Sequence, residues 1–196
     1  YYKALLFGSI GSIVETSEIQ RKSFNKAFKQ HGLKWNWTKR EYLSLLTKSG
    51  GKDRISRYAK KNKEIVNSTY LRNLKTKIFN NYLKKNQLKL RPGVKNLILF
   101  CKKKKIKLAF VSSTSINNIN AILYSLRNSI NKKDFSFVGN SKLVKKLKPN
   151  PAIYLLALKK LKIKADDCLA IEDTQESLNS AKRAKIKCII FPGKFH

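Results

Sequence analysis

Acidic side chains are what this 196-residue chain has least of. Eleven aspartates and glutamates stand against 44 lysines and arginines, a formal charge of +33. From Ile65 to Ala165 the only acidic residue is Asp134, whereas five of the eleven fall between Asp166 and Glu176. A coding bias toward Lys, Asn and Ile explains many lysines, but it does not explain so few acids. Methionine is absent altogether, initiator included. The expectation is a trimmed or partial form, with room for a targeting segment lost on organelle import. With only His31 and His196, histidine catalysis has little to work with. The cysteines, Cys101, Cys168 and Cys188, are odd in number and show no CxxC or metal-ligand spacing, which points to a reducing compartment. No run approaches the roughly 18 apolar residues of a membrane-spanning helix. Dinucleotide-binding glycines, a P-loop, a Ser-His-Asp set, zinc spacing and RNA-recognition signatures are also missing.

What is present reads as a folded α/β protein. A hydrophobic share of 42% supports a core, and the length suits one domain with a small insertion. Short apolar runs alternate with helical periodicity, the pattern of a parallel sheet covered on both faces. Strands are expected at Ala4–Phe7, Lys107–Val111, Phe135–Val138, Cys168–Ile171 and Cys188–Phe191. Helices are expected at Ser17–Gln30, Glu41–Thr47, Asp53–Lys61, Ser68–Lys85, Val94–Cys101, from Asn117, at Pro151–Leu161 and at Glu176–Ala184. Gly32 supplies the left-handed cap that ends the first helix. Tyr70, Leu71, Leu74, Ile78, Phe79 and Tyr82 recur at helical spacing and are expected to pack, as are Trp35 and Trp37. Cys168 and Cys188 are expected to be core thiols.

Several segments carry chemistry-bearing residues in order. The first strand runs into Phe7-Gly8-Ser9-Ile10-Gly11-Ser12. Gly50-Gly51-Lys52-Asp53-Arg54-Ile55 and Leu90-Arg91-Pro92-Gly93-Val94 follow, then Phe110-Val111-Ser112, Lys148-Pro149-Asn150-Pro151 and Ile171-Glu172-Asp173-Thr174. This series resembles the haloacid dehalogenase (HAD) superfamily, in its CbbY-like branch of sugar-phosphate phosphatases. The resemblance implies a doubly wound parallel sheet with a small helical cap inserted after the first strand. The core would be residues 1–16 and 90–196, and the cap residues 17–89. It also implies phosphate binding by Ser112 and Lys148, substrate contact by Lys52 and Arg54 from the cap, and an acidic pair, Glu172 and Asp173, that holds magnesium.

The departures from that pattern are at the reacting centre. The resemblance implies a nucleophilic aspartate at Gly8 and an acid/base aspartate at Ile10, and neither glycine nor isoleucine performs those roles. The aspartate after Pro-x-Pro is Ala152, and two later glycines are Ser177 and Lys185. The expectation is therefore a catalytically inactive HAD-like protein with no cofactor, its Glu172–Asp173 metal site vestigial. Its lysines suit a structural or linker role on a large acidic or polyanionic assembly. One such assembly is the stromal face of a photosynthetic membrane complex in a plastid. Lys102, Lys103, Lys104, Lys105 and Lys107 are the expected contact residues, and a small-molecule substrate is not expected. Two alternatives remain open: an RNA-associated protein of organellar ribosome type, bound by charge alone, and a non-hydrolysing sugar-phosphate sensor.

Overall fold

The structure, a computed structural model, describes residues 1–46 and 50–193. Five parallel strands form one sheet in the order β3-β2-β1-β4-β5. They are β1 (Ala4–Phe7), β2 (Lys107–Val111), β3 (Phe137–Gly139), β4 (Cys168–Glu172) and β5 (Lys187–Ile190). β1 lies at the centre, with Phe7 opposite Phe110 of β2 and Ile171 of β4. Every residue of β1 is buried. A strand covered on both faces must be apolar on both, and so Ala4-Leu5-Leu6-Phe7 reads as a continuous run rather than an alternation.

Helices cover the sheet. On one side Ala4, Leu6, Ala109, Val111 and Ala170 pack with Ile153, Tyr154, Ala157 and Leu161 of α7 (Ala152–Leu161) and Ala181 of α8 (Gln175–Arg183). Two further helices, α5 (Val94–Lys103) and α6 (Ile116–Ser125), belong to the same unit. Gly93 enters α5 at φ +81, a left-handed conformation that glycine adopts without a Cβ penalty. The doubly wound parallel α/β fold expected from the sequence is the fold observed. β5 departs in detail: as an edge strand it leaves Ile189 53% exposed, and Cys188 is half-buried rather than a core thiol.

The described chain divides into two compact units: Tyr1–Glu15 with residues 86–193, and Thr16–Lys85. The second unit contains α1 (Ser17–Gln30), α2 (Lys39–Leu45), α3 (Gly51–Lys61) and α4 (Ser68–Lys85). The expected helix end at Thr47 and the chain end at 196 lie outside the described residues. The core of this unit is aromatic: Phe24, Phe28, Trp35, Trp37 and Tyr42 pack with Ile55 and Leu71. Trp37 sits 4.9 Å from Phe24 and 4.7 Å from Phe28, ring centroid to centroid. Arg21 and Asn25 donate to its carbonyl, at 2.7 and 3.0 Å, and Asn25 accepts from its backbone N–H. Tyr70 and Tyr82 differ from expectation, being 50% and 44% exposed. The buried face of α4 is narrower than the apolar stripe suggests: Leu71, Lys75, Phe79 and Leu83, four residues apart each time.

Candidate functional site

The residues that the sequence singles out in the sheet unit lie at the carboxyl ends of adjacent strands, where open parallel sheets bind ligands. Gly8 follows β1, Ser112 follows β2, and Glu172 ends β4. The Gly8 N–H donates to the Ile171 carbonyl at 2.9 Å, continuing the ladder one residue past the strand. After Gly8 the chain turns at once. Ser9 caps a 3-10 turn over Ile10–Ser12, accepting from the Ser12 N–H at 3.2 Å, while the Ser12 hydroxyl donates to the Ser9 carbonyl at 2.7 Å. Ile10 is half-buried in this turn.

Lys148, Glu172 and Tyr154 form one cluster. The Lys148 ammonium donates to Glu172 Oε1 at 2.5 Å and to the Gly8 carbonyl. The Tyr154 hydroxyl donates to the same Oε1 at 2.5 Å. The Lys148 side chain is 6% exposed and that of Glu172 is not exposed at all. Burial pushes the Glu172 carboxyl up from its ordinary value, with the Lys148 charge and the Tyr154 hydroxyl pulling the other way. Burial, and then the Glu172 charge, push the Tyr154 phenol far up. Glu172 Oε2 is buried and has no hydrogen-bond partner.

Gly8 is tied to this cluster by volume. A Cβ built on it would stand 2.0 Å from Glu172 Oε1 and 2.1 Å from the Tyr154 hydroxyl oxygen. The space a side chain at position 8 would use is filled by the carboxylate of Glu172. A Cβ at Gly11 would meet Asp173 Oδ2 at 1.8 Å, so the two acids of β4's end serve different positions of the first loop.

Beside them, Ser112 is buried and its hydroxyl accepts from the Thr114 N–H at 3.1 Å. The buried Ser113 hydroxyl has no partner. Sequence reasoning missed Tyr154 and Ser113, and it singled out Arg91 without its contacts. The Arg91 guanidinium donates to the carbonyls of Gly11 (2.7 Å), Phe191 (2.6 Å) and Pro192 (2.5 Å) and stacks on the Phe191 ring at 3.4 Å. The Arg91-Pro92-Gly93 turn gave a place for this residue but not its partners, which are 80 and 100 positions away.

The remaining candidates fall elsewhere. In the helical unit Lys52 is exposed, and Arg54 is buried, donating to the Leu45 carbonyl at 3.0 Å beneath the Tyr42 ring. Lys102 pairs with Asp134 at 2.6 Å, and Lys103, Lys104, Lys105 and Lys107 are exposed, Lys107 donating to the Leu161 carbonyl at 3.1 Å. Among the described residues no group of three or more His, Cys, Asp or Glu could hold a metal ion, and no helix is long and apolar enough to cross a membrane.

A parallel sheet in the order β3-β2-β1-β4-β5, with a lysine–carboxylate pair and serine hydroxyls at its carboxyl edge, defines an α/β protein of the open-sheet class, whose ligands sit at that edge. The chain belongs to the haloacid dehalogenase-like hydrolase family, which it matches over residues 11–191. It is 34% identical to protein CbbY of Cereibacter sphaeroides, over 97% of this chain and 84% of that protein. It is 33% identical to the CBBY-like protein of Arabidopsis thaliana, over 95% of this chain and 62% of that one. The crystal structure of CbbY from Rhodobacter sphaeroides in complex with phosphate superposes with a TM-score of 0.87 at 32% identity. That match covers all of this chain and 88% of the neighbour. A variant of the same protein was solved with xylulose-(1,5)bisphosphate, again with a TM-score of 0.87.

These likenesses correct the functional expectation. An inactive structural or linker subunit docked through Lys102, Lys103, Lys104, Lys105 and Lys107 on a large acidic or polyanionic assembly is not what they support. The family is one of hydrolases, and the neighbour holds a small sugar bisphosphate. The RNA-associated and non-hydrolysing alternatives fall with that expectation, as does the exclusion of a small-molecule substrate. The sequence puts Gly8 and Ile10 where the resemblance implies aspartates, and in the structure the carboxylate of Glu172 occupies the space beside Gly8.

Proposed function

We propose that this chain is a hydrolase of a phosphorylated sugar, with a sugar bisphosphate such as xylulose-(1,5)bisphosphate as its class of substrate. The observation that carries the reading is Lys148, held at the end of β1 by Glu172 and the Gly8 carbonyl. A buried ammonium at the rim of a parallel sheet balances phosphoryl charge, and charge placed in advance is most of what phosphoryl transfer needs from a protein. The Ser112 and Ser113 hydroxyls supply neutral donors at the next strand end. The likeness to the phosphate-bound and xylulose-(1,5)bisphosphate-bound neighbour supports the substrate class.

Mg²⁺, usual in this family, takes an octahedron of oxygens in which one or two carboxylates are completed by substrate phosphate and water. Glu172 Oε1 is committed to a cation and a phenol, so Glu172 Oε2 and the Asp173 carboxylate are the oxygens that would hold the ion, beside the positive charge of Lys148. A plastid setting is proposed from the likeness to the Arabidopsis CBBY-like protein. Immunolocalisation that places the chain in another compartment refutes it.

The test is phosphate release from xylulose-(1,5)bisphosphate by the full chain, with inorganic phosphate binding followed by calorimetry in parallel. Release, together with phosphate binding that is tighter in magnesium than in chelator, is the expected outcome. Absence of release from any sugar phosphate refutes the hydrolase reading, and phosphate binding that is equal in magnesium and in chelator refutes the Glu172–Asp173 pair as holders of the ion.

A further inference from the structure

Tyr154 belongs to the Lys148–Glu172 cluster and has no part in the proposed hydrolase so far. Its ring is core: it is wholly buried and packs with Leu6, Ala109 and Ala170 of the sheet. Its hydroxyl does something else. Lys148 and Tyr154 come from one short segment, whose course is fixed at Asn150. The Asn150 Oδ1 accepts from the Ala152 N–H at 3.0 Å, and its carbonyl accepts from the Ser180 hydroxyl at 2.7 Å. Both side chains then converge on one atom of another strand, Glu172 Oε1, each donating at 2.5 Å. The Lys148 ammonium also lies 4.8 Å from the centroid of the Tyr154 ring.

Lys148 by itself balances the charge of Glu172, so the phenol is not needed for neutrality. What a second donor adds is direction. The last torsion of a glutamate is broad and roughly two-fold, and a carboxylate held by one flexible cation keeps that freedom. A hydroxyl on a ring locked into the core removes it. The contact exists because position 8 has no side chain: a Cβ on Gly8 would overlap both Glu172 Oε1 and the Tyr154 hydroxyl.

Resting on the hydrolase reading, we propose that Tyr154 is a positioning residue for the magnesium site. Its hydroxyl, together with Lys148, fixes Glu172 Oε1 and so leaves the second oxygen of Glu172 for the ion that the Glu172–Asp173 pair would hold. Tyr154 itself touches neither ion nor substrate. Donors behind a ligating carboxylate set its orientation, and their loss typically costs about 10–100-fold in metal affinity.

Tyr154→Phe keeps the ring, its packing and its contact with Lys148, and removes only the hydroxyl. Inorganic phosphate binding to the full chain is followed by calorimetry across a magnesium series and in chelator, with a melting curve beside it. The magnesium concentration that gives half of the tightening should rise by about tenfold or more. Phosphate binding in chelator, which draws on Lys148, should stay as it was. In a Gly8→Ala background, where a Cβ already parts the phenol from the carboxylate, Tyr154→Phe should move the magnesium series no further. A magnesium series unmoved by Tyr154→Phe, or phosphate binding weakened equally in both media, overturns the proposal and leaves the hydroxyl a matter of core stability. Should Tyr154→Phe fail to fold, the hydroxyl is read on the unaltered chain with carbon-13 at tyrosine Cζ. Magnesium should then shift one tyrosine resonance, and magnesium that shifts none overturns the proposal. Phosphate release from xylulose-(1,5)bisphosphate is measured separately on the unaltered chain. Its absence refutes the hydrolase reading, whereas release with an unmoved magnesium series refutes only the role of Tyr154.

Discussion

A lysine inside an aromatic core is the least expected single residue in the molecule. Lys75 lies on the buried face of α4, donates to Gln20 Oε1 and sits 4.8 Å from the Phe24 ring and 5.1 Å from the Phe79 ring. Burial pushes its amine down to about 7 from 10.5, with the Arg54 and Arg72 charges adding to the effect. In the unfolded chain the amine keeps its ordinary value. Between pH 7 and pH 10.5 the unfolded state therefore binds more protons than the folded one, and stability rises with pH across that window. At about 1.4 kcal/mol per unit the penalty below pH 7 reaches on the order of 4–5 kcal/mol. Two cation–π contacts, about 0.5–2 kcal/mol each, offset part of it. Lys75→Met should raise stability at pH 7 by on the order of 1–3 kcal/mol and flatten the slope up to pH 10.5. Urea titrations at pH 7, 8.5 and 10 check this, and an unchanged slope in Lys75→Met would assign it to another group.

At the scale of elements, the first loop is held from outside itself. Its own bonds are the short ones of the 3-10 turn over Ile10–Ser12. Arg91 ties Gly11 to the chain leaving β5, through its bonds to the Gly11, Phe191 and Pro192 carbonyls. The Arg91 N–H adds a bond to the Ile13 carbonyl at 2.9 Å. Hydrogen bonds from a charged donor are worth about 1.5–3 kcal/mol each, and several on one guanidinium are not additive. Arg91→Met keeps the stem and loses the fork. It should cost on the order of 2–4 kcal/mol, read in the melting curve, and weaken inorganic phosphate binding because Gly8 and Ser9 share the loop. Melting and phosphate binding both unchanged would mean that the loop holds its own shape.

For the whole molecule the dominant property is charge. At +33 the protein carries a field that draws in small anions as readily as large ones. On the proposed function, a phosphorylated sugar is one such small anion, drawn in by the same field. Raising ionic strength from about 0.01 M to 0.15 M shortens the screening length from roughly 30 Å to 8 Å. The kcat/KM for xylulose-(1,5)bisphosphate should then fall by about tenfold, with kcat little changed. A kcat/KM indifferent to salt would show that the lysines do not steer substrate, and would leave them to the coding bias that the composition suggests.

The sheet was legible in the sequence because burial on both faces forces continuous apolar runs, and Ala4–Phe7 and Lys107–Val111 appear where those runs stand. The helices Ser17–Gln30 and Ser68–Lys85 were legible from their helical periodicity, and Gly32 at φ +80 follows the end of the first. The order of Ser112, Lys148 and Glu172 along the chain was enough to recognise a phosphate-handling family. Other features depended on residues far apart in sequence. Leu71 and Phe79 frame a buried position on α4, and nothing in the helical period says that Lys75 fills it. Arg91 finds its partners 80 and 100 residues away. The meaning of Gly8 was the largest thing left undecided. In the sequence a glycine there is only a lost side chain. In the folded protein it is room, taken up by a carboxylate from another strand, because strands neighbouring in the sheet bring together groups 164 residues apart that no local pattern connects.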